Sequence, residues 1–390
     1  MTRDIKSLIA ACALSSAGAI VYMLSPLIIG GLMDAAALDA GQAGLLLASY
    51  FAAYTVFAAS GLSWLHRFPT RRVTAVALLM LVAGLIPMAA LGSYQVLMAT
   101  MALSGAGAGV CYAVSVALIA ATDEPDRNFG YALAAQLTLG GILLFAAPAF
   151  FTPKWGFGGT ISSIILAVLL IGLILPWLPR GAAAQATIAD QDISQHPAAP
   201  AISGTIGLFI WFAGLSALWV FIERIGVESA LDPVAIGTVL SLSVIPGIAG
   251  AMGAVVLGDR FGRKAPHVFS ALLILIAVFP LSSQPGLAGY AMAVGLIIFA
   301  WNFWLAYLLG TLASVDLTGR YSSLYTAALG LGAAVGPAVG GIIAVKSGLK
   351  SVLFSGLGAI LAGLLIALWL LSFIDKKGLS RRVRGDIEYD

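Results

Sequence analysis

Charge is what this sequence has least of. Only 9% of its 390 residues are Asp, Glu, Lys or Arg, against about 25% in an ordinary soluble domain. Such a chain has no polar coat to keep it in water. Cysteine is scarce as well, and Cys12 and Cys111 each lie inside an apolar run, so no disulfide framework is implied. The three histidines, His66, His196 and His267, are expected in loops on the cytoplasmic side, and none belongs to a His-carboxylate cluster with metal-ligand spacing. No nucleotide loop of the Gly-Lys-Ser type occurs, which argues against an ATP-driven machine. Alternating segments of about ten residues, the mark of a transmembrane β-barrel, are absent. Paired polar catalytic residues are missing from the apolar runs, so no enzyme, cofactor or metal is expected. A net charge of +3 forms no nucleic-acid face.

Apolar residues are abundant: they make up 61% of the chain, and its mean hydropathy is +1.02. The few charges fall in clusters separated by apolar runs of about 18 to 28 residues, the length a helix needs to cross the hydrocarbon of a bilayer. The first run follows a short basic start and reaches Met33, too long for the core of a cleaved signal. Further spans are predicted at 41–65, 73–92, 95–120, 130–152, 159–179, 203–227, 233–257, 265–282, 286–313, 321–345 and 350–374. The predicted class is therefore an all-α membrane protein with twelve transmembrane helices.

Lysine and arginine orient these spans, because they collect on the cytoplasmic side. With a cytoplasmic N-terminus, sixteen of the 20 fall inside, three (Lys154, Lys346, Lys350) fall outside, and Arg224 lies within or at the edge of a span. An Ala-, Gln- and Pro-rich stretch at 181–202 reads as a cytoplasmic linker between halves at 1–180 and 203–390. Those halves repeat. A gapless shift of 193 positions places Leu38-Asp39 on Leu231-Asp232, Gly44 on Gly237, Arg67-Phe68 on Arg260-Phe261, Asp123 on Asp316 and Arg127 on Arg320. Two six-helix bundles related by an internal repeat are how many alternating-access carriers are built, with the solute held between them near mid-membrane.

The string Gly258-Asp259-Arg260-Phe261-Gly262-Arg263-Lys264, with Gly253 five residues before it, resembles the loop signature of the major facilitator superfamily, found between the second and third helices of each six-helix half. Together with the repeat, that resemblance covers nearly the whole chain and implies two pseudo-symmetric bundles rocking about a shared cavity. It also implies a latch, in which the loop acid steadies one state by reaching the opposite bundle. Asp259 would face the helix start after Arg127. Its counterpart at the 193 shift is His66, which would face the helix start after Arg320 and suits the positive end of a helix less well. Arg260, Arg263 and Lys264 serve equally well as anchors to anionic lipid.

Glu223 and Arg224 are adjacent opposite charges near the outer end of helix seven, where the first half has Gly30 and Gly31. Charges at such depth mark function by default. Arg224 could hold an anionic group; Glu223 could carry a proton or pair with an arginine; a boundary position would explain both. Asp34, near the outer end of helix one, is a second coupling candidate, though it reads more simply as a boundary residue. In the family, helices one, four, seven and ten line the cavity, so Tyr22, Tyr112, Trp211, Trp219, Trp301, Asn302 and Tyr307 would surround an aromatic pocket with few charges. Interfacial belts and packing seams use the same residues. Helix eleven carries Gly332, Gly336, Pro337, Gly340 and Gly341, a pattern that antiporters of the family place in helix five; close packing and a kink also explain it. The family's helix-four arginine is replaced by Met101, between Leu97 and Gly105, which leaves proton coupling open.

The expected function is secondary transport of a small organic solute, amphipathic, aromatic or monoanionic, by a monomer in the inner or plasma membrane, with both termini cytoplasmic. A proton or sodium ion is a candidate coupling partner, and export is favoured slightly over uptake. The alternatives are a lipid-translocating carrier and a receptor or sensor built on a carrier fold.

Overall fold

A computed structural model describes residues 2–181, 198–258, 260–262, 264–315 and 322–376. Among the described residues twelve long helices run back and forth, besides shorter turns of helix: α1 (Thr2–Ala35), α2 (Ala40–Ala59), α3 (Thr70–Ala89), α4 (Tyr94–Ala120), α5 (Pro125–Ala146), α6 (Thr152–Gly172), α7 (Ala198–Glu228), α8 in two pieces (Pro233–Leu242 and Val244–Leu257), α9 (Lys264–Leu281), α10 (Leu287–Val315), α11 (Ser322–Ser347) and α12 (Leu349–Lys376). No strand occurs among the described residues. The even number of crossings puts Thr2 and Lys376 on one face, called here the near face; the ends of α1 and α7 that carry Asp34 and Arg224 lie on the far face.

Helix boundaries follow from identifiable residues. The break in α8 at Ser243 comes three residues before Pro246, whose missing N–H cannot serve the carbonyl of Leu242. Between α5 and α6 no loop intervenes, and helical hydrogen bonding carries from Pro125 to Gly172. The chain passes through a wide turn, Ala147–Phe151, that contains Pro148, and bends where Trp155 (φ −131°) and Gly156 (φ 57°) leave helical geometry. The Thr152 hydroxyl donates to the Ala147 carbonyl at 3.0 Å there, beside the Thr152 N–H, which donates to the same carbonyl. At the near face, Thr70 and Arg71 tie the start of α3 to the stretch after α6, through Gly181 (2.9 Å), Pro176 (2.5 Å) and Leu178 (2.9 Å) carbonyls.

The 193-residue repeat reappears in the backbone. Asp39 caps α2 by accepting from the Gln42 N–H at 2.8 Å, and Asp232 caps α8 by accepting from the Ala235 N–H at 2.9 Å. Ala37 and Ala230 both have positive φ, at 50° and 56°, as do Leu91 and Gln284, at 52° and 53°. Pro87 and Pro280 sit inside α3 and α9, each near the helix end. Positive φ is unfavourable for residues with a Cβ, so its recurrence at the same shift marks two copies of one chain path.

Lipid supplies no hydrophobic drive between helices, and close approach through small residues takes its place. Gly105 and Gly109 of α4 lie on the backbone of Tyr50 and Tyr54 in α2, while Gly107 lies on Ala77 in α3. In the second half, Gly214 of α7 packs directly on the Gly356 carbonyl of α12, with no room for a side chain between them. Among the described residues the halves join mainly through α1 with α7, α2 with α11, and α5 with α8.

Candidate functional site

The seam between halves is tightest where glycine faces backbone. Gly44 of α2 abuts the Pro337 carbonyl of α11, Gly341 of α11 abuts the Ala40 carbonyl, and Gly330 abuts Thr55. On the other flank Gly237 of α8 meets the Leu144 carbonyl and Pro148, and Gly141 of α5 meets Val244. A side chain at most of these positions would hold the halves apart. The glycines of α11 therefore divide: Gly330 and Gly341, with Pro337, face the other half, whereas Gly332, Gly336 and Gly340 lie on Phe212, Ala213, Ala217 and Phe221 of α7.

Between these flanks, α1 and α7 meet through charge. Arg224 donates to both oxygens of Asp34, Nη1 to Oδ1 at 2.6 Å and Nη2 to Oδ2 at 2.8 Å. It also donates from Nε to Glu223 Oε2 at 2.8 Å and from Nη2 to Oε1 at 3.0 Å. One guanidinium thus holds two carboxylates, one on each edge of its donor fork. Burial separates the two bonds energetically. The side chains of Arg224 and Glu223 are 9% and 10% exposed, while that of Asp34 is 66% exposed. Removing one member of a buried pair strands the other, at a cost of about 3–5 kcal/mol, whereas an exposed ion pair contributes about 0–1 kcal/mol after solvent screening. Gly30 makes the approach possible, because a methyl group at that position would overlap the Glu223 carboxylate.

Deeper in the membrane the seam is aromatic. Tyr22 of α1 packs edge-on to Phe51 (5.6 Å between centroids) and Trp301 (5.6 Å), and stacks on Phe212 (5.9 Å). Trp301 in turn meets Phe212 at 5.8 Å and Trp219 at 6.4 Å. The Trp219 indole donates to the Tyr22 carbonyl at 3.0 Å, so this cluster also bridges the halves. The Tyr22 hydroxyl is buried beside the Ser216 hydroxyl of α7. A buried hydroxyl pair amid rings offers a polar handle in an apolar setting.

The remaining candidates lie elsewhere. Trp211 stacks on Trp304 at 3.8 Å and 7°, both fully buried inside the second half. Asn302 donates to the Ile298 carbonyl of its own helix at 2.9 Å and faces Gly247 of α8. Tyr112 packs on Gly18 and lies 5.9 Å from Tyr54, within the first half. Tyr307 donates to the Gly258 carbonyl at 2.8 Å, which ties α10 to the loop after α8. Sequence reasoning missed Phe51 and Phe212; Phe212 is adjacent to Trp211, and only one of two neighbours on a helix can face the seam.

At the near face, Gly258 (φ 48°) and Gly262 (φ 65°) supply the left-handed turns of the loop that includes Arg260. Arg127 binds Glu124 at 2.7 Å and the Tyr131 hydroxyl at 2.9 Å, all on the surface. Arg67 donates to its neighbour His66 at 3.4 Å. Asp259, Arg263 and Arg320 lie outside the described residues, so the latch expected of Asp259 and His66 does too. His267 departs from expectation: it sits in the first turn of α9 and is fully buried against Trp304 and Tyr307, because that turn packs onto α10.

A family model described as the Major Facilitator Superfamily matches residues 10–204 and again 204–386. The chain belongs to that superfamily. Both matches together span almost the entire sequence, one for each copy of the repeat. Among solved structures, the inward-open xylose transporter XylE from E. coli is similar with a TM-score of 0.72 at 15% identity, covering 93% of this chain and 95% of that one. The nucleoside transporter NupG is similar with a TM-score of 0.69 at 12% identity, covering 95% and 99%. At such identities the likeness shows a shared superfamily fold. No curated protein matches the sequence.

Proposed function

We propose that this superfamily member is a secondary carrier that moves a small organic solute by rocking residues 1–180 against residues 203–390, with its near face and both termini in the cytoplasm. The observation that carries this reading is the seam: Asp34 of one half clasps Arg224 of the other at the far face, above an aromatic cluster shared by both halves. Such a contact is bistable, since it is either made or broken as bundles rock. The near-face excess of Lys and Arg supports the orientation. Tyr22, Phe51, Phe212, Trp219 and Trp301 favour a solute with a flat or apolar body over a sugar, and the Tyr22 hydroxyl, beside that of Ser216, would serve one polar atom on it.

Purified protein in liposomes tests this. Uptake of a flat amphipathic probe, labelled benzoate, and of labelled xylose would be followed with and without a preloaded unlabelled excess inside. Accelerated exchange of the aromatic probe, lost in Trp301→Ala, is the expected result. Binding without any flux would make the protein a sensor, and dependence on lipid as cargo would make it a lipid carrier; either overturns the proposal.

A further inference from the structure

Arg224 presents its two Nη atoms to Asp34 in the parallel two-oxygen geometry by which arginine recognises carboxylates in general. The other edge of the fork is occupied by Glu223, from the same helix and buried with it. These two bonds differ in permanence. Glu223 travels with Arg224 wherever α7 goes, whereas Asp34 belongs to the opposite half, is largely exposed, and can leave. When the far face opens, the Nη edge loses its ligand and faces the entrance to the seam. Trp219 also bridges to α1 and precedes Arg224 by five residues, roughly 7.5 Å along the helix axis. A carboxylate held by Arg224 therefore has aromatic surface within the reach of a small organic body.

We propose that the Nη edge of Arg224 is a carboxylate-recognition site which Asp34 fills while the far face is shut, and that a monoanionic solute with an apolar body trades places with Asp34 as that face opens. Asp34 acts as a built-in competitor for the site. The exchange conserves charge: one carboxylate leaves the guanidinium as another arrives, so Arg224 and Glu223 are never left as a bare buried pair. Gly30 is part of the device, since its missing side chain lets α7 approach closely enough for Asp34 to win when no solute is present. The inference rests on the carrier reading and adds the charge class of the solute.

The test uses full-length protein, with nitroxide labels on A37C and A230C in a Cys12→Ala/Cys111→Ala background. Both label positions are exposed on the far face. Benzoate is the probe and benzamide its neutral isostere. Asp34→Ala should lengthen the label distance without any ligand. It should also tighten benzoate binding by up to about fivefold, the worth of a largely exposed ion pair freed from competition. Benzamide should bind wild type and Asp34→Ala alike, and Arg224→Lys, which keeps the charge and loses the fork, should lose the benzoate preference. If Asp34→Ala opens the face but binds benzoate no better than benzamide, the carboxylate site is overturned and the carrier reading stands. Failure of Asp34→Ala to change the distance overturns the gate and the exchange of carboxylates, while the carrier reading is decided by the flux measurement.

Discussion

Gly30 and Glu223 hold the same place in the two halves, 193 residues apart, and they touch each other across the seam. Contact between equivalent positions places them beside the axis that relates the copies. One copy keeps a glycine there and the other has a carboxylate, so the repeat is broken in chemistry where it is tightest in geometry. Gly30→Ala should therefore hinder closure of the far face with little effect on either bundle. Overpacking costs about 1–3 kcal/mol, borne only by the closed state, and shifts the balance toward the open one by roughly fivefold to more than a hundredfold. A cysteine at Ser25, fully buried in α1, should react faster with an impermeant maleimide in that variant. An unchanged rate contradicts the steric account.

The three members of the ionic cluster should differ in their effect on stability. Arg224→Gln strands Glu223 in a buried site and should cost about 3–5 kcal/mol. Asp34→Asn removes a largely exposed partner and should cost at most about 1 kcal/mol. The double variant Glu223→Gln/Arg224→Gln should recover part of the loss, because no buried charge remains. Denaturation of the purified variants ranks them, and equal losses for Asp34→Asn and Arg224→Gln would contradict the burial argument.

Two faces of one helix should behave differently in α11. Gly341→Ala and Gly330→Ala meet Ala40 and Thr55 of the other half and should bias the seam toward opening. Gly336→Ala meets Ala213 within its own half and should lower melting temperature without changing far-face accessibility. Similar accessibility in all three variants would show that the seam is not where the halves separate.

Tyr307→Phe tests the tie between α10 and the loop after α8. Loss of its bond to the Gly258 carbonyl removes about 1 kcal/mol, so amide exchange across 258–262 should speed up roughly fivefold while the rest of α10 is unaffected. No change in that segment would mean the loop is held by other contacts.

Much of this architecture can be read in the sequence because a bilayer imposes length and apolarity on every span, and a duplication repeats the cues. The Asp39 and Asp232 caps, the Pro87 and Pro280 positions and the basic near face all have sequence signatures. Positive φ at Ala37, Leu91, Ala230 and Gln284 has none, since those residue types give no warning of a left-handed turn; only the spacing between them does. The pairing of Asp34 with Arg224 was likewise hidden. Each charge stands out in its own helix, but which of them meet depends on how two bundles dock, and helical periodicity carries no information about that. The equivalence of Gly30 with Glu223 was the available clue, a gap beside a carboxylate. Aromatic residues posed the opposite difficulty: Trp211 and Phe212 are adjacent, and packing alone sends one into the bundle core and the other to the seam.

Two label distances measured on the same protein test the rocking of the halves most directly. One pair, A37C and A230C, spans the far face; the other, F68C and F261C, spans the near face at positions related by the same 193-residue shift. Opening the far face with Asp34→Ala should lengthen the first distance and shorten the second. Two distances that grow together, or a far-face change with the near face fixed, would contradict a carrier that opens one side by closing the other.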